Sequence, residues 1–163
     1  MAKRVISLLL AAVLLTSLFG CGAEKTFTCL DINLILPSGY YEADAGDGAN
    51  MLLTNNKSTV TVKRLSIVDA EKDGISGSYS AKQFAEFFLV NNELEGSIAT
   101  HGDVPYYSYY DTATATELFC ISAFYRTPYA YFIVIFATSA ENEDAARKEF
   151  FDIMSSVTYN IVK

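Results

Sequence analysis

Tyr129-Ala130-Tyr131-Phe132-Ile133-Val134-Ile135-Phe136-Ala137-Thr138 runs for ten residues without a charge, a glycine or a proline. Aromatic and β-branched side chains of this kind suit a pleated backbone. Apolar residues fall at both odd and even positions from Tyr131 to Ala137, so neither face of such a strand tolerates water. It belongs in mid-sheet with both faces covered. Just before it stands Thr127-Pro128. Proline presets a turn and donates no hydrogen bond, so the preceding run, Glu117–Arg126, is expected to return antiparallel beside it. Val104–Ala113 supplies a third strand in the same series.

Working outward, Ser139 is placed to cap a final helix. Glu141, Glu143 and Asp144 suit the positive end of its dipole, and Ala146, Phe150, Ile153, Met154 and Val157 recur at helical spacing. Upstream, Ser80-x-x-Gln83 reads as a capping box. It opens a helix whose apolar stripe is Ala81, Phe84 and Phe88, flanked by Phe87. Residues 28–36 alternate, with Leu30, Ile32, Leu34 and Leu36 expected on one face of a single strand. Tyr40 to Asn50 reads as a loop, Met51–Thr54 and Thr59–Val68 as a hairpin, Asp69–Ser78 as a polar loop, and Ser97–His101 as a brief strand. Helices separated by runs of hairpin strands indicate an α+β protein with an antiparallel β-sheet flanked by helices.

The N-terminus carries a different message. Lys3 and Arg4 precede an uncharged, mostly apolar run from Val5 to Phe19, and no acid appears before Glu24. A basic start followed by a short apolar stretch is the pattern of a secretory signal. The run is shorter than the roughly 20 residues that span a bilayer core. It ends Leu18-Phe19-Gly20-Cys21, which resembles a bacterial lipobox, with Phe19 bulkier than usual. The expected organisation is a signal peptide over 1–20, lipid on Cys21 (palmitate among its acyl chains), a short tether over 21–26 and one α+β domain over 27–163. The site of action is then the extracytoplasmic face of the bacterial cell membrane.

The full chain has twelve Lys and Arg against nineteen Asp and Glu. Removing residues 1–20 takes away Lys3 and Arg4, leaving ten cations and a net charge of −9. Such a domain is repelled by anionic headgroups and by nucleic acid. The expected partners are the membrane, through the lipid on Cys21 alone, and another envelope protein; no nucleic acid and no cofactor are expected. Cys29 and Cys120 remain, too few for a spacing pattern. Two buried free thiols are the reading favoured over a disulfide.

The order of elements, with certain local phrases, resembles the PsbP-like family, which includes the photosystem oxygen-evolving protein and bacterial lipoproteins of the DcrB and LpqN type. The phrases are Leu36-Pro37-Ser38-Gly39-Tyr40, Ser80-Ala81-Lys82-Gln83-Phe84, the Tyr129–Thr138 strand, and the final helix through Phe150 to Ser155-Ser156-Val157-Thr158-Tyr159. The resemblance implies an antiparallel sheet between helices, an α/β/α sandwich, and an accessory or binding role. It brings no functional motif that maps onto residues here.

Candidate chemistry is sparse. His101 is the only histidine. Ser97 or Ser108 would have to serve it as nucleophile, and neither stands in a Gly-x-Ser-x-Gly context. A zinc site would need a second His or a paired Cys spacing. Asp69-Ala70-Glu71-Lys72-Asp73-Gly74 resembles the start of a calcium loop, with carboxylates at alternate positions before a glycine. Ser80 stands where a bidentate Glu belongs, and Lys72 sits inside the loop. Asp69, Glu71 and Asp73 therefore stand as a weak calcium candidate, and no metal is expected. Tyr106, Tyr107, Tyr109 and Tyr110 cluster in one strand; Tyr107 and Tyr109 alternate onto one face. With Tyr129 they form a candidate aromatic surface for a partner. Ordinary cross-strand packing is the competing explanation. The function expected is a membrane-anchored, non-enzymatic binding or assembly module of the cell envelope. The rivals are an envelope hydrolase, which would need a pocket joining His101 to a nucleophile and an acid, and a small-ligand carrier, which would need an apolar cavity.

Overall fold

A computed structural model describes residues 23–113 and 115–160. Among these residues ten strands and three α-helices follow in order: β1 Lys25–Cys29, β2 Ile32–Leu36, β3 Tyr41–Ala43, β4 Met51–Thr54, β5 Ser58–Ser66, α1 Ile67–Lys72, α2 Ala81–Asn91, β6 Ala99–His101, β7 Val104–Asp111, β8 Leu118–Arg126, β9 Ala130–Ser139, α3 Glu143–Ser156 and β10 Thr158–Tyr159. Seven strands form one sheet in the order β3-β4-β5-β9-β8-β7-β6, and β1-β2-β10 form a second. Every pairing is antiparallel. The protein is α+β, with helices flanking antiparallel sheet, as the element order implies.

The doubly apolar run is β9, fourth of the seven strands. Its even-numbered residues, Ala130, Phe132, Val134 and Phe136, enter one core; Tyr131 and Ile133 enter another on the opposite face. The first core is closed by the three-stranded sheet, through Phe27, Ile32, Leu34 and Leu36, and by α3, through Phe150, Ile153 and Met154. Ser156 stitches α3 to β2, donating to the Ile35 carbonyl at 3.0 Å and accepting from its N–H at 3.2 Å. Buried Tyr125 donates to the Met154 carbonyl at 2.9 Å. The second core lies under α1 and α2. Phe84 stacks on Tyr131 at 4.3 Å between centroids and meets Phe124 edge-on at 6.0 Å.

The capping box of α2 forms as read: Ser80 Oγ accepts from the Gln83 N–H, and the Gln83 side chain accepts from the Ser80 N–H. Its buried face is Phe84, Ala85 and Leu89, with Phe87 and Phe88 partly covered. Four local expectations change. Residues 28–36 are not one strand but two halves of a hairpin, turned at Leu30-Asp31; Leu30, at φ 54° and 56% exposed, lies outside the core. The segment 69–78 begins in a helix rather than a loop, because Ser66 Oγ caps the Asp69 N–H and Ala70 is buried. The loop 40–50 contains edge strand β3. Ser139 caps no helix through its side chain; a 3₁₀ turn, Ala140–Asn142, intervenes before α3. Strand β1 also starts at Lys25, two residues before the expected start of the domain at Phe27.

Candidate functional site

Tyr107 and Tyr109 lie two residues apart on β7, so the pleat sends both to the α2 face of the large sheet. Their rings stack at 5.4 Å and 14°. Both are half-buried. Tyr107 donates to the Glu95 carbonyl at 2.6 Å. Its ring lies so close to Gly96 that a Cβ there would stand 2.9 Å from Tyr107 Cε2, and Gly96 has φ +128°. Only glycine suits that position. Tyr109 stands opposite Cys120, one row from Ser122. Burial pushes the Tyr109 phenol up from its ordinary value and the Cys120 thiol up to about 11, so both stay protonated at neutral pH.

The register extends this face across the sheet. Thr61, Ile135, Ser122 and Tyr107 form one row, and Thr59, Ala137, Cys120 and Tyr109 the next. Apart from Ile135 the side chains are small, polar or aromatic, and most are half-buried. Chemically this is an uncharged contact surface with hydroxyl groups and two fixed rings; it offers no base beside a nucleophile.

Tyr129 is not part of it. It occupies the β8–β9 turn, 58% exposed, and its carbonyl accepts from the Ile67 N–H. Ile135, in the Tyr107 row, is six residues further along β9, about 20 Å at strand rise. The structure thus joins Tyr107 with Tyr109 and leaves Tyr129 at another end. Tyr106 and Tyr110 point to the opposite face, where Tyr106 packs edge-on against Phe151 and Tyr110 donates to Glu143. Tyr125 and Tyr131 are buried in the two cores.

His101 stacks on Phe151 at 4.6 Å and 7° on the exposed strand β6. Asp69 and Glu71 lie on α1 and Asp73 caps it. Helical spacing turns alternate side chains away from one another. The Asp69 carboxylate is held below its ordinary range by Lys72, at 2.7 Å, and by Ser66. Among the described residues no three His, Cys, Asp or Glu side chains gather as a metal site. Cys29 and Cys120 are both free and buried; Cys29 belongs to the core on one face of the large sheet and Cys120 pairs with Tyr109 on the other. Residues 1–20, expected to be a signal segment, and Cys21 lie outside the described residues. No described helix is long and apolar enough to cross a membrane.

Solved structures share this fold. A crystal structure from Bacteroides thetaiotaomicron is similar with a TM-score of 0.58 and 13% identity, over 85% of this chain and 48% of that one. The present chain therefore spans about half the length of that protein. The Saccharomyces cerevisiae Ran-binding protein Mog1p is similar with a TM-score of 0.50 and 10% identity, over 85% of this chain and 96% of Mog1p. Cyanobacterial PsbP (CyanoP) from Synechocystis is also found, at a TM-score of 0.46 and 11% identity, over 84% and 91% of the two chains. At such identities the likeness is one of fold. No family model matches the sequence, and neither does any curated protein.

Proposed function

We propose that this chain is a lipoprotein of the PsbP-like, DcrB/LpqN kind. It is held on the extracytoplasmic face of a bacterial membrane by lipid on Cys21 and acts without catalysis, as a binding or assembly module for another envelope protein. The observation that carries the reading is Cys21 in its setting: two cations, an uncharged apolar run and a small residue immediately before it. Two acyl chains hold a protein stably on a bilayer, at about 0.8 kcal/mol per buried methylene. The stacked pair Tyr107 and Tyr109 supports contact as the mode of action, since tyrosine buries much area at small entropic cost. Mog1p, named for binding Ran, places the same fold in a protein-binding role.

The test has two arms. Cells expressing the chain are fed an alkyne fatty acid: the parent takes up label, and Cys21→Ala gives an unlabelled precursor. Uptake by Cys21→Ala ends the lipoprotein reading. Cross-linking at the membrane then compares the parent with a Tyr107→Ser, Tyr109→Ser double variant. Unchanged recovery of the cross-linked partner, with the variant folded, ends the assignment of that surface.

A further inference from the structure

Away from the tyrosine face, a polar cavity of about 210 Å³ lies where the β4–β5 turn meets the first turns of α3. Asn55, Lys57, Thr138, Asn142 and Glu149 line it. It shares Glu149 and Ala145 with a neighbouring groove of about 400 Å³, which runs between α3 and β2 over Ile35 and Pro37. Together they have the dimensions of a small-ligand site.

Glu149 stands where the two meet, and it is held there. Tyr40, 4% exposed, donates its hydroxyl to Glu149 Oε1 at 2.7 Å. The Ser58 hydroxyl lies beside the same tyrosine oxygen. Burial, followed by the bond to Glu149, pushes the Tyr40 phenol well above its ordinary value, so it remains a donor at any physiological pH. Among the described residues the second oxygen of Glu149 has no hydrogen-bond partner. Lys57, also on the cavity lining, makes no ion pair among the described residues, although its backbone is fixed: its N–H donates to Asn55 Oδ1 at 3.0 Å and its carbonyl accepts from Thr138 at 3.1 Å. Lys148 and Asp152, by contrast, neutralise each other in the adjoining groove. The cavity is therefore lined by one carboxylate side chain and by one exposed lysine of opposite charge, with Asn55 and Asn142 beside them.

We propose that this cavity binds a small zwitterion of the amino-acid kind, its ammonium on Glu149 and its carboxylate on Lys57, with the adjoining groove receiving whatever the ligand carries beyond them. A ligand bearing both charges satisfies both protein groups; a plain amine or a plain acid leaves one of them unmatched. The same chemistry is offered by a free amino acid and by a dipeptide, which differ in the separation of their two charges, so the titration tells which span the site accepts. The site is independent of the anchoring and of the tyrosine surface.

The purified protein, uniformly labelled with nitrogen-15, is titrated with alanine, alanyl-alanine and N-acetylalanine, each up to about 10 mM, a range that covers millimolar affinity. Saturable shifts are expected at the Lys57, Asn142, Ala145 and Glu149 amides with alanine or alanyl-alanine, and the zwitterion that saturates at the lower concentration is the better ligand. N-acetylalanine, which lacks the ammonium, should give none. Glu149→Gln preserves an acceptor for Tyr40, and Lys57→Met lies on an exposed turn, so both variants keep the parent melting temperature; each should weaken binding at least tenfold. Absence of saturable shifts with both zwitterions overturns the proposal. So does equal binding of N-acetylalanine, or binding that survives both substitutions.

Discussion

Phe84→Ala tests how the second core holds α2 to the sheet. Phe84 is 2% exposed, stacked on Tyr131 at 18° and edge-on to Phe124 at 78°. Truncating a buried phenylalanine costs about 3–5 kcal/mol, of which each aromatic contact supplies about 0.5–1.5. Its neighbours are fully buried Tyr131 and Phe124, fixed in strands that cannot shift without breaking their ladders. The void should therefore stay open, which places the cost near 4 kcal/mol. A domain stable by about 5–15 kcal/mol survives that loss with a much lower denaturation midpoint. Guanidinium unfolding followed by circular dichroism reads it, with Val90→Ala, 79% exposed on the same helix, as the control expected within about 0.5 kcal/mol of the parent. Amide exchange along α2 should accelerate more than along β9. A loss below about 1 kcal/mol at an unchanged m-value would show that this ring does not anchor the helix.

Leu30→Asn should raise stability by about 0.5–1 kcal/mol, read as a higher guanidinium midpoint, because Leu30 sits at φ 54° with 56% of its surface exposed and Asn tolerates that conformation far better. Ser80→Ala should cost about 1 kcal/mol by the same measurement, since it removes half of the capping box of α2. For Cys120 the thiol rises in the folded state from 9.0 to about 11. Folding then favours the protonated thiol, so its contribution is complete below pH 9.0 and disappears as the pH climbs toward 11. Melting temperature should fall over that window, and Cys120→Ala should flatten the fall; an identical slope in the variant would refute the assignment.

What the sequence makes legible is whatever one segment decides for itself. Ten uncharged, doubly apolar residues have few places to go, and β9 lies in mid-sheet. Ser80 and Gln83 satisfy each other within a single turn, and the stripe of Ala146, Phe150, Ile153 and Met154 belongs to one helix. The missed features depend on partners distant in the chain or on weak local signals. The Leu30-Asp31 turn contains neither Gly, Asn nor Pro, so unbroken alternation through Leu30 reads as one strand. Helix α1 is six residues long, with Ser66 and Asp69 as its only start signal. Two-residue β10 exists because β2 offers it an edge. Tyr129 joins the other candidate tyrosines in composition only; the register keeps it apart. The zwitterion cavity draws Tyr40, Lys57 and Glu149 from three separate segments, and no spacing in the sequence announces their meeting.

The two faces of the large sheet are closed to different extents, and element sizes explain the difference. Seven strands at about 4.8 Å spacing make a sheet about 29 Å wide. One face receives a second sheet together with the fourteen-residue α3. The other receives α1 and the eleven-residue α2, which is about 16 Å long. These helices cover the rows containing Phe124, Ile133, Tyr131 and Leu65, and the cluster they build extends as far as Tyr107. Beyond it the row of Thr59, Ala137, Cys120 and Tyr109 lies outside that cluster, with no helix over it among the described residues. A row left without a helix must be tolerable to water, and its threonine and tyrosine hydroxyls meet that requirement, whereas the rows beneath α2 hold phenylalanine and isoleucine. The same composition that lets this strip stand uncovered also suits reversible contact, with two rings already ordered and little charge to desolvate. Among the described residues no helix adds to the covering of this strip, and on the proposed reading Tyr109 and its neighbours are where a partner would dock without displacing any described element of the fold.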